Sequence, residues 1–114
     1  DALRHLVDLV RVNTGRRAIV ELFTVLSAEA TAPDHPAHRF FVDRYHRTVA
    51  GVERAYVLAR DAGALRPEVD PSVAARHLVA LMDGLQIQWL LENCSTDMTP
   101  AVQAHIQSQL NSPL

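Results

Sequence analysis

The stretch Asp70–Asn93, DPSVAARHLVALMDGLQIQWLLEN, decides the fold. Asp70 is a good N-cap, since its carboxylate can accept from the free amides of a first helical turn. Pro71 follows at the one helical position where a missing N–H costs nothing. Downstream, Ala74, Leu78, Leu81, Leu85 and Trp89 recur at helical spacing with Met82 beside them. A second apolar line runs through Ala80, Gly84, Ile87 and Leu91. A helix apolar over most of its circumference must be covered on two sides. In a chain of 114 residues one cover is its own domain, and the other is expected to be a second copy of the chain.

Outward from this helix, the same periodicity fills the chain. Leu3, Leu6, Val7 and Val10 share one face of a first helix over residues 1–12, which Asn13-Thr14-Gly15 can end. A second helix reads from Arg16 to about Thr31, with Ile19, Leu22, Phe23, Leu26 and Ala30 as its main stripe and Val20 and Val25 widening it. Ala32-Pro33-Asp34-His35-Pro36 is a turn, with Asp34 or His35 as cap for a third helix that runs to Ala62. Gly63 is expected to end that helix as its C′ residue, and residues 64–69 form a short extended connection. Beyond the turn Ser95-Thr96-Asp97-Met98, Thr99-Pro100 is read as cap and first turn of a last helix carrying Val102, Ile106 and Leu110 on one face. There are no strand-like alternations, so the expected fold is all α, a bundle of five helices in one domain over residues 1–114.

Composition narrows the function by exclusion. A formal charge of −2 gives no electrostatic case for nucleic-acid or membrane binding by this segment. All eleven basic residues are arginine, which reads as compositional drift. No apolar run approaches the ~20 residues of a membrane span. One cysteine excludes an internal disulfide and fits a reducing, cytoplasmic setting. The chain opens without Met and already inside a helix, so further sequence upstream is expected.

Catalytic chemistry is not expected. Gly15, Gly51, Gly63 and Gly84 are too scattered for a phosphate loop, and no G-x-S-x-G elbow occurs. Cys94 follows a helix C-terminus, where the dipole disfavours a thiolate. His35, His38, Asp43 and His46 gather near the start of the third helix, but a di-iron bundle needs two Glu-x-x-His pairs and two further carboxylates. No metal and no cofactor is therefore expected, and a metal-dependent bundle enzyme is the weakest of three readings. Aromatic residues concentrate where the second, third and fourth helices should meet: Phe23, Phe40, Phe41, Tyr45, Tyr56 and Trp89. Tyr45, His46, Gln86 and Trp89 bring polar atoms that a purely structural core does not need, as a small-molecule pocket would. Trp89 can turn to either face, and so can Gln86 and Gln88.

The runs LFTVLSAEATAPDHPAHRFFVDRY (Leu22–Tyr45) and GALRPEVDPSVAARHLVALMDGLQIQWLL (Gly63–Leu91), with Asp97-Met98, resemble the C-terminal domain of TetR-type transcriptional regulators over nearly the whole chain. The resemblance implies a ligand-responsive regulator, with a repressor as the expected type. Residues 1–12 would end the linker helix, and a DNA-binding helix-turn-helix would lie upstream, so DNA would be contacted only through that missing part. It also implies a homodimer whose four-helix interface is made by the last two helices of each copy. Its expected residues here are Ala80, Gly84, Ile87, Leu91, Val102, Ile106 and Leu110. A small, largely apolar effector is expected among Phe23, Leu26, Phe41, Tyr45, Met82, Gln86 and Trp89. The alternative is a helical dimerisation module with no ligand, its pocket filled by side chains.

Overall fold

Local chemistry starts and stops each helix. In the computed structural model, which describes residues 1–114, Asp1 caps α1 (Ala2–Asn13) by accepting from the Leu3 amide at 3.0 Å. Asp70 does the same for α4 (Pro71–Leu91), accepting from the Ser72 amide at 2.9 Å. Between them lie α2 (Arg17–Glu29) and α3 (His38–Asp61), and α5 (Thr99–Gln107) completes the five helices. At the end of α3, Gly63 takes φ +76°, so the Ala64 amide reaches back to the Ala59 carbonyl at 2.9 Å and the Gly63 amide to Arg60 at 3.0 Å. This is the double closure that lets the last carbonyls find donors. At the end of α4 the same closure is made on Asn93, with φ 54°, and the Cys94 amide bonds the Trp89 carbonyl at 2.8 Å. No helix is long and apolar enough to cross a membrane.

Four starts and stops differ from the sequence reading, one of them the last helix, which ends at Gln107 and does not carry Leu110. The third helix begins at His38, because the His35 ring accepts from the Ala37 amide at 3.0 Å and holds residues 35–37 in a turn. The His38 ring then donates to the Ala30 carbonyl at 2.8 Å, tying the turn to the end of α2. At α5 the capping side chain stands two residues before Thr99: the Asp97 carboxylate accepts from the Thr99 amide at 3.0 Å, while Thr99 itself is buried. Finally, α1 ends on Thr14 in the right-handed region, its hydroxyl bonding the Arg11 carbonyl, so Gly15 is not used as a left-handed stop.

The core forms where α1, α3, α4 and α5 converge, with Leu3, Val7, Val52, Tyr56, Ala75, Leu78, Val102 and Ile106 almost fully buried. Tyr56 loses all solvent contact and donates to the Gln109 side chain; burial pushes its hydroxyl up to about 12, so it keeps that proton. The chain after α5 folds back on the α3–α4 connection. Leu65 and Leu110 form an isolated antiparallel bridge, with the Arg66 amide on the Gln109 carbonyl at 3.0 Å and the Asn111 amide on Ala64 at 2.7 Å. This pinning fixes where α4 begins, and hence what its faces meet.

The molecule measures 42 × 32 × 19 Å, and 19 Å is two helices deep. In two layers α4 cannot be surrounded. Its inner face, through Leu78 and Trp89, packs into the core, while Val73, Ala80, Ile87 and Leu91 stay exposed on the other side, Leu91 at 82%. Gly84 sits in the middle of this bare stripe, with nothing within 4 Å of where a Cβ would be.

Candidate functional site

Bordering the stripe at Ile87, α1, α2, α3 and α4 leave a cavity of about 450 Å³. Each helix supplies a row at helical spacing: Leu9 and Asn13 from α1; Phe23, Thr24, Ser27, Ala28 and Thr31 from α2; Phe41, Arg44, Tyr45 and Thr48 from α3; Met82, Asp83, Gln86 and Ile87 from α4. The volume lies within the usual range for small-molecule sites, as does the mix of apolar walls and a few polar groups.

Five of the seven residues expected to bind an effector line this cavity: Phe23, Phe41, Tyr45, Met82 and Gln86. Phe23 and Phe41 meet edge to face with ring centroids 6.1 Å apart, and Phe40 meets Phe41 at 5.0 Å. Leu26 and Trp89 are not in the lining. Leu26 sits on another side of α2 from the row Phe23-Ser27, and Trp89 turns inward to the core, 3% exposed.

The residues expected at a dimer interface divide in the same way. Ala80, Gly84, Ile87 and Leu91 lie on the bare stripe of α4. Val102, Ile106 and Leu110 do not face outward: they are 1%, 0% and 6% exposed, packed within the chain itself. The reason is that α5 is short and has a single apolar face, which the chain's own core uses, while Leu110 lies past its end and pairs with Leu65. Only its other side, including Ala101, Ala104 and Ser108, reaches the surface.

Asp83 was missed by the sequence reading, although it is the only acidic residue between Pro71 and Leu91. A carboxylate alone in an apolar helix is a signal that could have been read. It stands half-buried beside the Tyr45 hydroxyl, and burial raises its pKa above the ordinary carboxylate value. The Tyr45 hydroxyl is raised in turn, first by burial and then by the neighbouring Asp83 charge. Arg44, also missed, carries its guanidinium 4.6 Å over the Phe23 ring. The cavity is thus an aromatic box with one carboxylate that lacks a salt-bridge partner and one arginine held against a ring.

A raised folded-state pKa means the fold prefers the protonated carboxyl. Stability from this group is fully present below the unfolded-state pKa and is lost as pH rises through the folded one. Asp83→Asn is therefore expected to raise the melting temperature at pH 7. The advantage over the unsubstituted chain should shrink steadily towards pH 3.5. Thermal denaturation at the two pH values checks this, and equal gains at both would place the origin elsewhere.

A second hollow, of about 540 Å³, is an open groove on the outer side between α3 and α4, lined by Val42, His46, Val49, Ala50, Glu53, Arg76 and Ala80. Tyr45, Val79 and Asp83 line both hollows and form the wall between them. His46 lies in this groove, apart from Phe23 and Phe41. His35, His38, Asp43 and His46 are not gathered into any group of three that could hold a metal ion.

The family described as BetI-type transcriptional repressor, C-terminal, matches residues 1–111 of the chain. No curated protein and no solved structure matches it.

Proposed function

The chain belongs to the BetI-type family of transcriptional repressor C-terminal domains, and from that premise we propose that it is the effector-binding and dimerising part of a ligand-responsive repressor. The observation that carries the reading is the cavity of about 450 Å³ with its convergent polar groups. A ligand-free dimerisation module would have no use for a half-buried carboxylate facing about 450 Å³ of open space. The effector has a small apolar body that fits against Phe23, Phe41 and Met82. Its polar end donates hydrogen bonds towards Asp83, Tyr45 and Gln86.

Response would reach an upstream DNA-binding part through α1. Leu9, Val10 and Asn13 of that helix line the cavity, so a bound effector touches it directly. A differential affinity of 1–3 kcal/mol between two tilts of α1 is enough to change operator affinity about 5–150-fold. An effector that binds both tilts equally would shift nothing, however tightly it bound.

Dimerisation is assigned to the bare face of α4. Its six positions, Val73, His77, Ala80, Gly84, Ile87 and Leu91, lie two, five and nine residues on either side of Met82. Two antiparallel copies would set large residues against large ones at the ends and the small pair Ala80 and Gly84 at the crossing. A self-complementary patch of this kind is what a two-fold interface needs.

A panel of alkyl alcohols and alkyl amines, screened by thermal shift, tests the effector site. A ligand present at 100 times its Kd adds about 2.7 kcal/mol, which for a chain of this length is roughly 10 °C. Phe23→Ala, a half-buried position whose loss the fold should tolerate, is expected to abolish the shift. No shift from any compound at millimolar concentration would favour the ligand-free module.

A further inference from the structure

The two hollows and the bare stripe share one edge. Along α4, Arg76, Ala80, Asp83 and Ile87 follow one another at spacings of four, three and four, a single line down the helix. This line is the α4 rim of the hollows: Arg76, Ala80 and Asp83 border the outer groove, and Asp83 and Ile87 border the inner cavity. Ala80 and Ile87 belong at the same time to the stripe. We propose that neither hollow is complete in one chain, and that a second copy docked on the stripe forms their outer wall.

The inference rests on the dimer reading above and extends it to the binding site. Helices pack 8–10 Å apart, and a helix with its side chains is about 10–12 Å wide. A helix seated on the stripe therefore cannot avoid overhanging the adjacent row of its neighbour. Here that row is the rim. The occupant is a second copy because the stripe is symmetric in residue size about Met82. The consequence is thermodynamic: whatever fills the cavity touches both copies, so filling it and dimerising favour each other.

Met82 gives a readout that needs no ligand. It lines the inner cavity and keeps some contact with solvent, whereas Met98 is buried in the core at 5% exposure and serves as an internal reference. Oxidation of both methionines by excess hydrogen peroxide can be followed by mass spectrometry from dilute to concentrated protein, beside sedimentation equilibrium on the same samples. Met82 is expected to oxidise at least five-fold more slowly where the chain is dimeric, with Met98 slow throughout. Leu91→Glu, at a residue lining neither hollow, should hold the chain monomeric and keep Met82 at the fast rate at every concentration. If circular dichroism shows that this variant does not fold, Val73→Glu at the other end of the stripe replaces it. A dimer in which Met82 reacts as fast as in the monomer overturns the inference and leaves the dimer reading standing. A chain that is monomeric at every concentration removes both.

Discussion

Trp89→Ala is expected to lower the free energy of unfolding by about 3–5 kcal/mol, the usual cost of truncating a buried aromatic to alanine. Trp89 is 3% exposed and belongs to the same cluster as Leu78, Met98 and Val102. Its carbonyl also accepts the Cys94 amide that closes the end of α4, so the cavity left behind would lie next to the helix terminus. For a chain of 114 residues such a loss is a large share of a typical total stability. Urea denaturation followed by circular dichroism measures it. The same variant also tests where the ligand site ends: because Trp89 does not line the cavity, any compound that shifts the melting temperature of the unsubstituted chain should still shift this one. Loss of that response with little loss of stability would return Trp89 to the ligand site.

Trp89 shows what could and could not be read from the sequence. Helical spacing put Leu78, Leu81, Leu85 and Trp89 on one face of α4 and Ala80, Gly84, Ile87 and Leu91 on another, and the structure keeps the two faces apart. Asp70-Pro71 marked the start of the helix, since a cap and its proline act within one turn. Spacing along one helix does not say which neighbour each face meets. Gln86 and Trp89 are three residues apart, yet the first borders a cavity against α2 and α3 and the second is sealed in the core. That difference is set by how the helices pack, and one contribution is non-local. The pairing of Leu65 with Leu110 fixes the start of α4 from the far end of the chain.

The same limit explains α5. Val102 and Ile106, with Leu110 just past the helix end, announce one apolar face, and a single face can serve the core or a partner but not both. Periodicity cannot choose between them. What chooses is that α1 offers Leu3 and Val7 as a partner surface within the chain, so α5 is satisfied inside one copy. Asp83 was missed for a different reason. Its meaning comes from what surrounds it, an aromatic box contributed by α2 and α3, and nothing within its own helix shows that box.

Gly84→Trp is expected to weaken the proposed dimer at least 100-fold, more than about 2.7 kcal/mol of association free energy. The argument turns on empty space. Nothing lies within 4 Å of the position a Cβ would take at Gly84, so within one chain an indole can project from α4 without displacing anything. Replacing glycine inside a helix also removes roughly 0.5 kcal/mol or more of backbone cost. A single folded chain should therefore be as stable as before, or slightly more so. The partner has no such freedom. Gly84 sits two residues from Met82, next to the point where two antiparallel copies would cross, and there an added side chain forces the helix axes apart by several ångströms along the whole stripe. Sedimentation equilibrium reports the association constant, and thermal denaturation of dilute protein reports the stability of one chain. The two readouts should move in opposite senses. A variant that remains dimeric with unchanged affinity would take Gly84 off the interface, and with it the two-fold symmetry assigned to the stripe.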